Sequence, residues 1–230
     1  MNDNIIGITL GIRFSRSFRL LDITGNIVDN ILYSELSPFG KEFFPKIQEL
    51  PSREKTLYNP STTNYLRINS DDIILGISIN QDFESKYDWI KTSILKYYKE
   101  VLFKNYQIIN IHRIGIIFTY KIPKSKVPTS SIALLTNNSI KDAENINISF
   151  SRKIASSTAL IRKNVQDYMN TIYTYEELVE SMVASLDYQY YYDPIIEDLR
   201  DCAPEKVLCD AGEFLKSNYY PLLEKHAKDK

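Results

Sequence analysis

The stretch INIHRIGIIFTYKI, residues 109–122, decides the fold reading, because β-branched and aromatic residues fill it while a basic pair, His112-Arg113, interrupts it. Alternation places Arg113 and Gly115 on one face with Ile109, Ile111 and Ile117, and His112 on the other among Ile114, Ile116 and Phe118. A strand this apolar belongs inside a sheet, where charged groups need partners. The expectation is that Arg113 pairs with a carboxylate at the sheet edge, that His112 is a hydrogen-bonded core residue, and that Gly115 leaves space for a partner group.

Outward from this strand, the chain reads as strands and a few helices. IIGITLGIRF near the start sets Ile6, Ile8, Leu10, Ile12 and Phe14 at period two, a strand with one core face. SFRLLDITGNIVDNILY suggests two β-rich runs turning at Thr24-Gly25-Asn26, hence a hairpin and a three-stranded start. SPFGKEFFPKIQEL reads as a short helix or turn broken by Pro45. NYLRINSDDIILGISIN reads as a second hairpin turning at Ser70-Asp71-Asp72.

From Ser85 to about Lys104 the period becomes helical, with Tyr87, Ile90, Ile94, Tyr97 and Val101 on one stripe and Ser85 with Asp88 as a capping box. PKSKVPTSS after the central strand reads as a linker. A short apolar piece, IALL, then precedes strands near 145–154, 157–172 and 178–192. On the last of these Met182, Ala184, Leu186, Tyr188, Tyr190 and Tyr192 alternate on one face. A terminal helix starts at Pro204, a favourable first-turn position, and Pro221 should stop it. The fold class is therefore α+β, with strand-rich halves at 1–127 and 128–230, each a mostly antiparallel sheet covered by a long helix, as in a ferredoxin-like duplication.

Composition narrows the function. Lys and Arg number 28 against 29 Asp and Glu, so polyanions would need a local basic patch rather than a global field. Tyrosine is abundant at 17 residues. No apolar run approaches the roughly 18 residues of a membrane span, and no export leader is visible, so a cytoplasmic protein is expected. Cys202 and Cys209 then read as reduced thiols, and their seven-residue spacing does not suit a zinc knuckle.

The Tyr87 and Trp89 helix start and the strand run Arg113-Ile114-Gly115 are similar to a motif of a sporadically distributed bacterial family of unassigned chemistry. That family carries a Tyr-x-x-Trp helix start before a central Arg-x-Gly-x-Arg-Tyr-x-Asn strand. The resemblance spans residues 62–122; Tyr87 and Trp89 lie one residue closer than in the family, and Ile117, Phe118 and Tyr120 stand where it has Arg, Tyr and Asn. It implies two related α+β halves and an accessory role in mobile or defence loci, with no catalytic residues to carry over.

No phosphate-cradling glycine loop and no nucleophile elbow occurs. Asp72 with Glu84 and Lys86 could build a metal-dependent nuclease, but such residues should ride a strand, and here they meet a helix start. His226 lies in the terminal segment, away from His112, which argues against a two-histidine ribonuclease. No cofactor or metal is expected. Three functional readings follow. The first is a non-catalytic accessory subunit, antiphage or mobile-element associated, docking a protein partner through Tyr188, Tyr190, Tyr191, Tyr192 and Asp193, beside the acidic groups Asp187, Glu197, Asp198 and Asp201. The second is a nucleic-acid-binding or RNA-processing protein using Lys91, Lys96, Lys99, His112 and Arg113. The third is a small-ligand sensor between the halves.

Overall fold

The computed structural model describes residues 4–123, 147–154, 162, 165–178 and 181–219. Nine strands form one sheet, all neighbours antiparallel: β1 (Ile5–Phe14), β2 (Lys46–Glu49), β3 (Lys55–Tyr58), β4 (Tyr65–Ile68), β5 (Asp72–Ser78), β6 (Ile111–Pro123), β7 (Asn147–Ile154), β8 (Tyr168–Glu177) and β9 (Ser181–Ile196). Their order is β2-β3-β4-β5-β1-β6-β9-β8-β7. The α+β class holds, but the strands make a single continuous sheet rather than two, because β1 and β6 pair along their length, Gly11 opposite Gly115 and Arg13 opposite Arg113. The expected linker, the boundary near residue 127, IALL, Pro221 and His226 lie outside the described residues.

One face of the sheet is the core. Ile8, Leu10 and Ile12 of β1, Ile114, Ile116 and Phe118 of β6, and Leu186, Tyr188 and Tyr190 of β9 are buried there, as period-two alternation requires. Against them pack α1 (Phe18–Asp22), α2 (Thr24–Tyr33), the helical residues 83–106 (α3) and the helical residues 204–219 (α4), whose apolar residues join the same cluster. Every described helix therefore lies on that side.

The hairpin expected at Thr24-Gly25-Asn26 is instead the junction of α1 and α2. Gly25 has no positive φ, so the turn it was expected to make is absent. Leu20, Thr24, Ile27 and Ile31 are buried at steps of four, three and four, a helical stripe whose packing outweighs the β-propensity of its isoleucines. Tyr97 of α3 donates to Asn30 Oδ1 at 2.6 Å, and Tyr106 to the Asn26 carbonyl at 2.8 Å, so α3 clamps α2.

SPFGKEFFPKIQEL resolves into a single 3-10 turn at Lys41–Phe43 followed by β2. The hairpin of β4 and β5 forms as expected. Helix α3 starts at Phe83 with Asp82 before it, so Ser85 and Asp88 lie inside the helix and make no capping box. Two π-helical stretches, Ile90–Ile94 and Tyr98–Phe103, widen it. Of the strand expected at 157–172, residues 168–172 belong to β8, residues 162 and 165–167 are not strand, and the rest lie outside the described residues, while β9 and α4 match their sequence signals.

Candidate functional site on the second sheet face

Among the described residues no helix packs on the second face of the sheet. Register places its side chains in rows that cross the strands. One row runs Asp72, Arg13, Arg113, Tyr191, Tyr168 over β5, β1, β6, β9 and β8. The next runs Thr56, Arg67, Ile74, Gly11, Gly115, Gln189, Asn170, Lys153 over β3 to β7. A third includes Tyr58, Tyr65, Gly76, Thr9, Ile117, Asp187 and Ile172. Cations and tyrosines thus recur across the width of the face, with Asp72 and Asp187 as interspersed carboxylates.

The rings are held in two ways. Tyr191 and Tyr168 stack with centroids 4.6 Å apart and planes 8° from parallel. Arg113 lies 5.5 Å from the Tyr191 centroid, and Lys153 Nζ lies 3.9 Å from that of Tyr168. Strand order puts these cations on the outer sides of the pair, so four side chains form one stack. Tyr65, by contrast, lies flat on β5: a Cβ on Gly76 would overlap its ring. Glycine is required there because the aromatic ring occupies the space above it.

At the strand ends the face opens into a cleft of about 720 Å³, lined by Arg13, Phe14, Ser15, Arg16, Asp71, His112, Arg113, Tyr168, Tyr191, Tyr192 and Asp193. Its wall is fixed by backbone hydrogen bonds, from Ser15 N–H to the Asn110 carbonyl (2.9 Å) and Ser17 N–H to the Ser70 carbonyl (2.7 Å). Arg13 and Arg16 share one carboxylate oxygen, Asp71 Oδ2, at 3.2 and 3.8 Å. Arg113 donates to the Tyr191 hydroxyl at 3.1 Å, which in turn donates to Gln189 Oε1 at 2.9 Å. Among the described residues Arg113 makes no ion pair.

The expected carboxylate partner of Arg113 is thus a tyrosine hydroxyl, and β6 is a central strand, not an edge. His112 is also displaced from its expected place. A register shift between Ile111 and Arg113 in the ladder with β9, and one opposite it in the ladder with β1, buries Ile111 and leaves His112 half-buried beside the cleft. His112 Nε2 is 2.9 Å from Ser15 Oγ. Gly115 leaves only van der Waals room, since an added Cβ would meet the Tyr188 carbonyl oxygen at 3.5 Å and Gln189 Cγ at 3.6 Å.

The other sequence candidates separate. Tyr188, Tyr190 and Tyr192 are buried in the core and are not available as a docking surface; Tyr190 donates to Asp167 (2.9 Å) and Tyr192 to the Cys202 carbonyl (2.7 Å). Only Tyr191 reaches the second face, and exposed Asp193 lines the cleft. Asp198 is tied to Arg200, which holds its carboxyl below the usual range. Lys91, Lys96 and Lys99 ride α3, on the core side, so they do not join His112 and Arg113; Lys91 pairs with Asp88 (3.2 Å) and Lys99 with Glu205 (2.6 Å), while Lys96 is exposed. Asp72 stands on β5, whereas Glu84 and Lys86 belong to α3, so the metal-nuclease set does not assemble. Among the described residues no three His, Cys, Asp or Glu side chains cluster as a metal site. Cys202 is buried, and burial pushes its thiol up to about 12; Cys209 is exposed, and both are free.

Two carboxylates near the face are perturbed in opposite directions. Burial raises Asp187 above the usual carboxylate range, partly offset by the Gln189 amide (2.5 Å) and Arg113. Burial would also raise Asp167, but the Arg162 guanidinium, the Asp193 N–H (2.8 Å) and the Tyr190 hydroxyl outweigh it and hold it low. That network anchors the end of β9 beside the cleft.

Sequence reasoning missed Arg13, Tyr65, Arg67, Lys153 and Tyr168. The period-two pattern of β1 sets Arg13 opposite the core, and that of β4 does the same for Arg67, but neither pattern marks them as functional. Their alignment with Arg113 depends on long-range register, which no local pattern states.

No family model matches this chain, and no curated protein does. Among solved structures, the Methanococcus jannaschii TBP is similar over 79% of this chain and 86% of that one, at 10% identity and a TM-score of 0.28. No described helix is long and apolar enough to cross a membrane.

Proposed function

We propose that this chain is a nucleic-acid-binding protein that takes a single strand across the sheet face on which no described helix packs. The observation that carries the reading is the recurrence of cations and tyrosines over that face: Tyr65 flat on Gly76, Arg67, Arg13, then the Arg113–Tyr191–Tyr168–Lys153 stack. Single-strand binders combine a basic track for phosphates with ring faces for bases. Here Tyr65 supplies the ring face, because its other side is already seated on the backbone. Arg113 and Lys153 supply phosphate contacts, positioned by the stacked tyrosines rather than by carboxylates. A formal charge of −1 does not oppose this, since the face concentrates its own basic residues.

The sheet order supports a second element of the reading. Outward from the β1–β6 pair, one side runs β5, β4, β3, β2 and the other β9, β8, β7, and the innermost strand of each side leads into a long helix, α3 or α4. Two related halves joined edge to edge would produce this order, and a strand-binding track would then cross both.

Fluorescence anisotropy of the purified chain with labelled single-stranded DNA and RNA tests the function. Binding that weakens steeply with salt supports it; absence of binding at low salt ends it. The cleft also admits a smaller anion, because its volume lies in the range of small-ligand sites and guanidiniums from β1 and β6 converge there. A mononucleotide that binds without any strand affinity would favour that second reading.

A further inference from the structure

The cleft at the end of the face differs from the rest of the track. The face offers one cation at a time, separated by rings or by β-sheet spacing. In the cleft three guanidiniums, Arg13, Arg16 and Arg113, converge with the His112–Ser15 pair against two carboxylates, Asp71 and Asp193. One carboxylate oxygen of Asp71 serves both Arg13 and Arg16, and among the described residues Arg113 donates to a hydroxyl and makes no ion pair, so donors outnumber the acceptors that engage them. A planar guanidinium forks onto two oxygens, and a tetrahedral phosphate monoester offers three free ones with nearly two charges. A backbone diester offers two with one charge.

The position is terminal as well. The row Arg13–Arg113–Tyr191–Tyr168 is the last of the three rows toward the strand ends, and residues 14–17 are pinned beyond it to Asn110 and Ser70. A strand following the face arrives here against a fixed wall, where its end fits better than its continuation.

We infer that the cleft binds the terminal phosphate monoester of a nucleic-acid strand, so that the protein recognises phosphorylated ends. This rests on the single-strand reading above. The test compares oligonucleotides of one sequence carrying a 5′-phosphate, a 3′-phosphate or hydroxyls at both ends, by anisotropy at fixed ionic strength. One phosphorylated form should bind at least tenfold tighter than the hydroxyl form, with Arg16→Ala bringing that ratio close to one and Arg16→Lys restoring part of it. Arg16 is largely exposed, its side chain 63% accessible, so its replacement should not disturb folding. Equal affinity for all three oligonucleotides would overturn the inference and leave the single-strand reading standing; a preference unchanged by Arg16→Ala would place the end elsewhere and also overturn it. No binding of any oligonucleotide would remove the single-strand reading itself.

Discussion

Tyr168 and Tyr191 stack across β8 and β9 with a cation on each outer side, Lys153 against one ring and Arg113 against the other. The pair therefore acts as a spacer that sets where two positive charges stand on the face. Tyr191→Leu should release Arg113 from both the ring and the hydroxyl and weaken strand binding by about 1–3 kcal/mol in titrations. Tyr191→Phe keeps the ring and should weaken it less.

Tyr65 depends on a glycine. Gly76→Ala would drive a methyl into the ring, so the ring must lift from the backbone. The expected cost is about 1–3 kcal/mol in denaturant unfolding, as for other overpacked sites. Strand affinity should fall as far as in Tyr65→Ala, which removes the ring outright.

The closely spaced tyrosines of β9 separate by face. Tyr188→Ala opens a cavity in the core and should cost about 3 kcal/mol or more of stability. Tyr191→Ala, on the other face, should cost about 1 kcal/mol as its stacking with Tyr168 disappears. Equal costs at the two positions would contradict the assignment of faces.

Asp187 tests the electrostatics of the face. Its pKa is raised by burial, so the folded state favours the protonated form; the benefit is present below the ordinary carboxylate pKa and lost as pH rises through the folded value. Asp187→Asn should therefore be more stable than the parent at pH 7 and no more stable at pH 3, by thermal unfolding in matched buffers. The same change removes a negative charge beside Arg113 and should tighten strand binding at low salt.

Much of the core was legible in the sequence. Alternation in β1, β6 and β9 names most of the buried residues, although Ile6, which it sets on the core face, is exposed and Ile111, which it sets opposite, is buried; the stripe Tyr87, Ile90, Ile94, Tyr97, Val101 marks α3, because burial on one face imposes a period that the sequence must carry. The α1–α2 segment was misread because its isoleucines, valine and glycine favour a hairpin locally, while Leu20, Thr24, Ile27 and Ile31 satisfy a helix that only packing reveals. The site was less legible for a related reason. His112 changes sides through a register irregularity, and Arg13, Arg113, Tyr191 and Tyr168 become neighbours only through three strand registers, none of which is a property of any single segment.

The salt dependence of single-strand binding in Arg113→Ala tests the central claim most directly. The parent should bind single-stranded nucleic acid with log affinity falling linearly against log salt; the variant should bind more weakly, with the slope reduced by about 0.7 because one phosphate is no longer neutralised. An affinity and slope identical to the parent's would contradict the assignment of this sheet face as the binding surface.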